Sequence, residues 1–480
     1  MYRIYFLFIG VFCLVQNFFS QQWLDKKYTY DSILNISYGS AYGFSGALNN
    51  LEMDIYLPNC DDPSQESRRP LLMVVHGGAF IAGDKTENNI QYICKEFAKR
   101  GYVTASINYR LGFISDDQYW TCNYPYYNCL FATDSSEWYR SYYRGVQDAK
   151  GALRYLINRN DLYRIDTSNV FVAGESAGAF ISLGVAFMDL SSERPSHTFA
   201  ISTAPLPNPI TDTCVFNSGI SFTPGGVLRP DLGGIDGTIE PSSIQYTIKG
   251  VGNMYGAMFS NLLLQQVPNQ PKPAIFSFHQ PCDLVVSIDS SKLYWGLNWC
   301  MANGYNCFGI ANTPKAYGSR TISNWNTNLN LGYTIQNEFT TSVFPYSFLF
   351  GSKSCTDQIS NPCHAYDYFI VREQHMAEYF AGMVTTNPIC DTAALALSEL
   401  SISNGMSLVP NPTSGEFKVV LDGPFISSYI TIFDCLGNIV LKKFVKDSNT
   451  PLVLMVEPGV YFVELSNENG RCGSRLLISN

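Results

Sequence analysis

A serine hydroxyl is a weak nucleophile at neutral pH, and it does chemistry only where the backbone presents it and other groups activate it. One stretch of this chain is built for that: Val170-Phe171-Val172-Ala173-Gly174-Glu175-Ser176-Ala177-Gly178-Ala179. An apolar, β-branched run enters a Gly-x-Ser-x-Gly turn, and small and apolar residues follow. The pattern predicts strand, sharp turn and helix, with the Ser176 hydroxyl pushed out above a sheet. Glycines two residues to either side leave room for neighbouring backbone. Such a serine needs a base, a carboxylate to orient the base, and N–H donors for a developing oxyanion. Candidate donors lie in His76-Gly77-Gly78-Ala79, where small residues after an apolar run leave backbone N–H groups free to face a ligand.

Three segments occur in a telling order: His76-Gly77-Gly78-Ala79-Phe80, Asn108-Tyr109-Arg110-Leu111-Gly112 and Gly174-Glu175-Ser176-Ala177-Gly178. Over roughly residues 50–390 this order and spacing resembles the carboxylesterase/lipase branch of the α/β-hydrolases. The resemblance implies Ser176 as nucleophile and the N–H groups of Gly78, Ala79 and Ala177 as oxyanion donors, with His76 holding the oxyanion loop. It also implies an acid in a His-x-x-x-Asp segment before Val-Val. His279-Gln280-Pro281-Cys282-Asp283-Leu284-Val285-Val286 matches, making Asp283 the expected acid and Asp289 the fallback.

The chain has five histidines. His76 and His279 belong to other motifs, and His197 precedes the acid, against the chain order Ser, Asp, His. His364 and His375 are left. Phe369, Ile370, Met376, Phe380, Met383 and Val384 fall on one helical stripe, which puts His375 on the opposite face beside Gln374 and Glu378. His364 precedes that helix, after a loop, and is the expected base. Its neighbour Cys363 points to a disulfide that fixes the loop, with Cys355 the nearest candidate partner.

These residues need a frame. Met53–Leu57, Leu71–Val75, Val103–Tyr109, Val170–Gly174 and Ala274–Phe278 read as strands, several of them continuous apolar runs of the kind buried on both faces of a parallel sheet. Residues 88–100 and 146–158 read as helices, residues 287–303 as helix-like and 307–311 as a short strand. Alternating strand and helix predicts an α/β fold with a mainly parallel sheet. Residues 113–144 are crowded with aromatics and could line or cover a substrate; residues 205–241 are irregular, and 312–362 read as a second long insertion that departs from the family pattern.

The chain has 480 residues, 46% hydrophobic and only 15% charged, so a large folded domain with appendages is expected. A net charge of −9 leaves no basic face for nucleic acid or an anionic membrane. No Gly-x-Gly-x-x-Gly after a strand, Walker loop, Cys-x-x-Cys pair or His-Glu-x-x-His is present, so neither cofactor nor metal is expected. Residues 1–20 carry one positive charge, an apolar core and a small residue at Ser20, a secretory signal pattern too short for a comfortable membrane span. Removing them takes Cys13 from the 14 cysteines, and in an exported protein most of the rest are expected in disulfides, with at least one left over.

Beyond a linker at 396–406 the pattern changes. Short alternating runs at roughly ten-residue spacing, separated by Gly-Asn and Pro-Gly turns, predict a small all-β sandwich over 407–480. Val409-Pro410-Asn411-Pro412, Ile432-Phe433-Asp434 with Gly437, and Pro458-Gly459-Val460-Tyr461-Phe462 resemble the sorting domain of the Bacteroidetes type IX secretion system. The resemblance implies that machinery as a partner, and a secreted or cell-surface location. The organisation expected is therefore signal peptide 1–20, catalytic domain 21–395, linker and sorting domain. The expected activity is hydrolysis of small or polymer-borne carboxylic esters through an acyl-enzyme. A peptidase of the same fold and a non-catalytic binding or adhesion protein are the alternatives.

Overall fold

The computed structural model describes residues 23–59, 68–114, 134–201, 228–264, 271–297, 313–339, 362–385, 406–421, 428–434, 439–446, 451–467 and 470–479. The chain divides into two compact units, Met1–Ile389 and Cys390–Asn480. The expected signal peptide, residues 115–133 and 340–361 of the two long insertions, and the linker before Met406 lie outside the described residues.

The first unit is built on an eight-stranded sheet. Its strands are β1 (Tyr30–Tyr42), β2 (Leu48–Pro58), β3 (Arg69–Val75), β4 (Val103–Ile107), β5 (Ile165–Glu175), β6 (Ile248–Met254), β8 (Ala274–Phe278) and β11 (Ile335–Glu338), in the order β1-β2-β4-β3-β5-β6-β8-β11. The β1–β2 and β2–β4 pairs are antiparallel, and every pair from β4 to β11 is parallel. This is the α/β-hydrolase fold. Three short strands, β7 (Ala257–Met258), β9 (Ser290–Lys292) and β10 (Lys315–Gly318), form a small second sheet.

Both faces of the parallel strands are covered, which is why they read as unbroken apolar runs. In β3, Leu71, Met73 and Val75 join a core with Val146, Leu153 and Ile181, while Leu72 and Val74 face a second core with Phe97, Met376 and Phe380. The first core is roofed by α2 (Ser135–Asn158) and α3 (Ala177–Phe187), the second by α1 (Asn88–Lys99) and α5 (Phe369–Ala381). The apolar helix after Ser176 is buried almost throughout, so it needs no polar face.

Register aligns the ends of the strands. Val75 lies opposite Gly174, Glu175 opposite Met254, Met254 opposite Phe278, and Phe278 opposite Glu338. The residues that follow β3, β5, β6 and β8 therefore leave the sheet side by side at its carboxyl edge, where open α/β sheets place their ligand crevices.

Several expectations are corrected. Residues 287–297 form β9 and a single 3-10 turn, Trp295–Leu297, rather than a helix; residues 298–312, with the expected strand at 307–311, lie outside the described residues. Helix α2 begins at Ser135, inside the stretch read as aromatic loop, because Asp134 caps it through the Ser136 amide at 2.9 Å. Much of the stretch read as an insertion is framework: β10, α4 (Ser319–Asn328) and β11, the last strand of the main sheet. On α5 the buried stripe runs through Met376, Ala377 and Phe380, whereas Ile370 is exposed.

The second unit is a β-sandwich. One sheet holds β12 (Met406–Val409), β13 (Glu416–Leu421) and β16 (Leu452–Val453); the other holds β14 (Ser428–Phe433), β15 (Ile439–Val445), β17 (Gly459–Asn467) and β18 (Gly470–Ile478) in the order β15-β14-β17-β18. Leu408, Phe417, Val419, Ile430, Ile432, Val463 and Leu476 make its core. Among the described residues, no helix is long and apolar enough to cross a membrane.

Backbone segments meet closely around the turn after β5. A Cβ on Gly178 would sit 2.1 Å from the Val75 carbonyl oxygen and 2.5 Å from that of His76, both backbone atoms that cannot swing away. Gly178→Ala is expected to destabilise the protein by about 2–3 kcal/mol in urea unfolding. Unchanged stability would mean that β3 and α3 do not meet this closely in solution.

Candidate active site

Ser176 occupies the turn between β5 and α3 with φ +50° and ψ −121°, a left-handed conformation that a non-glycine residue rarely adopts. Its amide donates to the Met254 carbonyl at 2.9 Å, tying the turn to the end of β6. Gly174 and Gly178 face each other across the turn, with an ideal Cβ on Gly174 only 2.4 Å from Gly178 backbone. The hydroxyl is thus held in place by a backbone with no freedom to relax.

His364 lies 188 residues further along, just before α5, and its Nε2 is 2.7 Å from Ser176 Oγ. Its Nδ1 is 2.7 Å from Oδ2 of Asp283. Asp283 follows β8, and its side chain is fully buried. Its other oxygen, Oδ1, accepts from the amides of Val285 and Val286, each at 2.9 Å. Burial would push the Asp283 carboxyl up, but the His364 ring, the hydrogen bonds from His279 and His364, and the His279 ring outweigh it. The group is held below the usual carboxylate range.

The loops carrying Asp283 and His364 are joined covalently. Cys282 and Cys363, each immediately preceding one of these residues, form a disulfide with Cα atoms 5.6 Å apart. Both half-cystines are buried, and the Leu284 amide adds a backbone bond to the Pro362 carbonyl at 2.9 Å. The partner of Cys363 is therefore Cys282 rather than Cys355. The nearest cysteine in sequence was a poor guide because the β8 and α5 ends meet only in the folded sheet. Cys94 on α1 is a free, buried thiol that burial pushes well above its ordinary pKa.

The segment after β3 turns sharply. Gly78, Ala79 and Phe80 all have positive φ, at +97°, +54° and +63°. An ideal Cβ on Gly77 would lie 3.4 Å from Ser176 Cβ, so this loop abuts the serine. The backbone N–H groups of Gly78, Ala79 and Ala177 have no hydrogen-bond partner among the described residues. His76 braces the loop: its Nδ1 lies 2.9 Å from the Gly77 carbonyl, and burial pushes its pKa down to about 4, so at neutral pH Nδ1–H donates. Tyr109 stacks on the His76 ring at 4.5 Å and donates its hydroxyl to the Gly77 carbonyl at 3.0 Å. Its neighbour Arg110 grips the buried Asp148 of α2 at 2.7 Å, and Asn108 bonds Asp84 and the Lys85 amide. The Asn108-Tyr109-Arg110 motif is thus the scaffold of the loop after β3.

The remaining candidates stand apart. Asp289 pairs with Arg320 at 2.6 Å, and His375, half-buried, sits 2.6 Å from Glu338. His197 stacks on Tyr139 at 4.3 Å. A cavity of about 700 Å³ lies between the end of β1, α2 and residues 228–239, and Ser176, Asp283 and His364 do not line it. Among the described residues, no group of three or more His, Cys, Asp or Glu is arranged to hold a metal ion.

Glu175 escaped the sequence reading. Its signal was present, an acidic residue in the variable position before the serine, but its environment is not local. It is buried, accepts from the Tyr255 hydroxyl at 3.0 Å, and also interacts with Glu87 and Tyr366. Tyr255, itself at φ +43°, packs edge-on against the His364 ring at 4.9 Å. Burial, with Glu87 adding to it against the opposing Tyr255 bond, pushes the Glu175 carboxyl up to about 7. Between pH 4.5, its ordinary value, and about 7, the folded state holds a proton that the unfolded state has lost, so stability falls as pH rises through this window. Glu175→Gln is expected to remove that fall, and wild type should lose roughly 3 kcal/mol relative to the variant across it. Urea unfolding of both proteins from about pH 4 to about pH 8 reads the difference directly; a flat difference would refute it.

Known proteins resemble parts of the chain. Residues 53–120 match the family model described as BD-FAE, residues 140–219 that of the alpha/beta hydrolase fold, and residues 407–479 that of the secretion system C-terminal sorting domain. Gut esterase 1 of Caenorhabditis elegans is 24% identical over 121 residues, 25% of this chain and 19% of that protein. The Caenorhabditis briggsae protein of the same name is 25% identical over 114 residues, 24% of this chain and 17% of its own. The chain therefore spans less than a fifth of the length of these relatives. Among solved structures, a truncated carbohydrate esterase from gut microbiota is 15% identical with a TM-score of 0.39, covering 75% of this chain and 99% of its own. Esterase B of Lactobacillus rhamnosis, inhibited by a tributyrin phosphonate, is 13% identical with a TM-score of 0.37, covering 78% and 93%.

Proposed function

We propose that this α/β-hydrolase-fold chain, with its C-terminal secretion sorting domain, is an exported serine carboxylic-ester hydrolase that works through an acyl-enzyme. The observation that carries the reading is the unbroken series Ser176 Oγ, His364 Nε2, His364 Nδ1, Asp283 Oδ2, with 2.7 Å at each hydrogen bond. His364 Nε2 takes the proton as Ser176 Oγ attacks the ester carbonyl, and Asp283 stabilises the imidazolium and fixes its tautomer. The oxyanion is received by the N–H groups of Gly78, Ala79 and Ala177, each worth roughly 3–4 kcal/mol of transition-state stabilisation. The imidazolium then protonates the departing alkoxide, and water, activated by the same base, releases the acid. Asp289 has no part, its carboxylate being engaged by Arg320.

The reading of the sorting domain rests on the family match over 407–479. With the secretory pattern at 1–20, it supports export by type IX machinery to the cell surface or beyond, and an oxidising destination agrees with the Cys282–Cys363 bond.

A fluorophosphonate probe is expected to label Ser176, and Ser176→Ala to lose on the order of 10⁶ in kcat on nitrophenyl esters. His364→Ala should be nearly as inactive, with its fold intact, while His375→Ala changes little. Labelling that persists in Ser176→Ala, or turnover of peptide amides but not esters, would overturn the assignment. A chain ending near residue 403 should still hydrolyse esters yet stay inside a type IX host, because each unit is compact in itself. Loss of both folding and activity on truncation would refute the boundary.

A further inference from the structure

Asp283 is contacted by a second histidine that the proposed chemistry does not use. His279 directly follows β8 and is fully buried. Its Nε2 lies 2.8 Å from the Val286 carbonyl and 3.3 Å from Asp283 Oδ2, the oxygen that also faces His364. Its Nδ1 lies 2.9 Å from Ser319 Oγ. A carbonyl can only accept, so Nε2 carries a hydrogen.

The far side of the ring is set by a buried chain of donors. The Gly256 amide donates to Asn253 Oδ1 at 3.1 Å, which fixes which end of the Asn253 amide is which. Asn253 Nδ2 then donates to Ser319 Oγ at 3.0 Å and to Ser277 Oγ at 3.2 Å. With the Asn253 hydrogen accepted on its oxygen, the Ser319 hydroxyl is free to donate to His279 Nδ1. The series from Asn253 through Ser319 to the His279 ring leaves the Nε2 hydrogen directed at the Val286 carbonyl and Asp283.

We propose that His279 is a positioning residue for the reaction: its Nε2–H, shared between the Val286 carbonyl and Asp283 Oδ2, stops the acid from rotating away from His364. The carboxylate is then held on three sides, by two amides on Oδ1 and by two imidazole N–H groups on Oδ2. This goes beyond space-filling, because the asymmetry of the imidazole matters. Asn253 and Ser319 support that asymmetry from the Nδ1 side. The inference rests on the assignment of Asp283 and His364 given above.

Two substitutions separate the nitrogens. In His279→Gln the side-chain amide reaches the position of Nε2 and keeps the donor toward Asp283. In His279→Asn it reaches only the position of Nδ1 and loses that donor. On a nitrophenyl ester, His279→Asn is expected to lose on the order of 10- to 100-fold in kcat with KM unchanged, as for other residues that orient a reacting group from behind. His279→Gln should stay within about threefold of wild type. Ser319→Ala, which keeps the ring and its packing but frees Nδ1 to take the hydrogen, should fall between them. Thermal unfolding and a thiol count confirm folding and the Cys282–Cys363 bond in each variant. Equal kcat in the Asn and Gln variants, or a change confined to KM, overturns the proposal, and Ser319→Ala decides the matter if neither folds: wild-type kcat there overturns it too. Failure of the underlying reading looks different: wild type itself would then be inert toward esters and unlabelled at Ser176.

Discussion

The structure depends on a backbone that is not allowed to relax at Ser176. A left-handed serine costs on the order of 1–3 kcal/mol and persists only where its surroundings over-determine it. Here they do: β5 is locked between β3 and β6, the Ser176 amide is bonded to Met254, and α3 is buried on nearly all sides. The glycines follow from the same constraint. Gly174, Gly178 and Gly77 let three backbone segments meet at distances where a Cβ would clash or crowd. What the turn fixes is the direction in which the Cα–Cβ bond of Ser176 leaves the end of the sheet.

A fixed serine is useful only if its partners are equally fixed, and these come from loops. Strand register brings the loop origins together, yet a loop leaving a strand keeps conformational freedom that registers do not remove. Two devices remove it at Asp283 and His364. The first is covalent, the Cys282–Cys363 bond one residue upstream of each. The second is electrostatic, the folding of the Asp283 carboxylate back onto its own Val285 and Val286 amides. The loop at Gly78 and Ala79 has no such covalent tie and relies on Tyr109 and His76 packed beneath it.

What could be read from the sequence was what is decided within a few residues. The turn around Ser176, the Gly-Gly loop and the segment ending at Val286 are local devices, so their residue types carry the signal. The fold class was legible for the same reason, since strands buried on both faces must be apolar throughout. Features decided by distant neighbours were not legible. Strand β11 reads Ile335-Gln336-Asn337-Glu338, too polar and short for an apolar-run rule, and is a strand because β8 offers it an edge. The first half of α2 hides its period because Arg140 and Arg144 are buried: their charges reach backbone carbonyls across the fold, as with Arg140 and the Phe199 carbonyl. The disulfide could not be paired from spacing, because its cysteines are 81 residues apart. Glu175 looked like a filler position until burial and two tyrosines defined it.

Glu175 and Asp283 show how much of the chemistry is set by surroundings and not by residue type. Both are carboxylates buried close to His364. Asp283 receives two backbone amides and two imidazole hydrogens, all donors, so the charged form is favoured against the cost of burial. Glu175 receives a tyrosine hydroxyl but lies beside another acid, Glu87, so burial wins and its proton stays until about pH 7. Near neutrality one carboxyl is firmly negative and the other stands close to its midpoint. If both were charged, the imidazole would have two anions to choose between, and the bond to Asp283 would not alone decide its orientation. Below neutral pH the second acid is largely protonated, which leaves Asp283 as the dominant negative charge facing Nδ1. The charge that the His364 ring faces is therefore set by the tyrosine-lined pocket around Glu175 as well as by Asp283 itself.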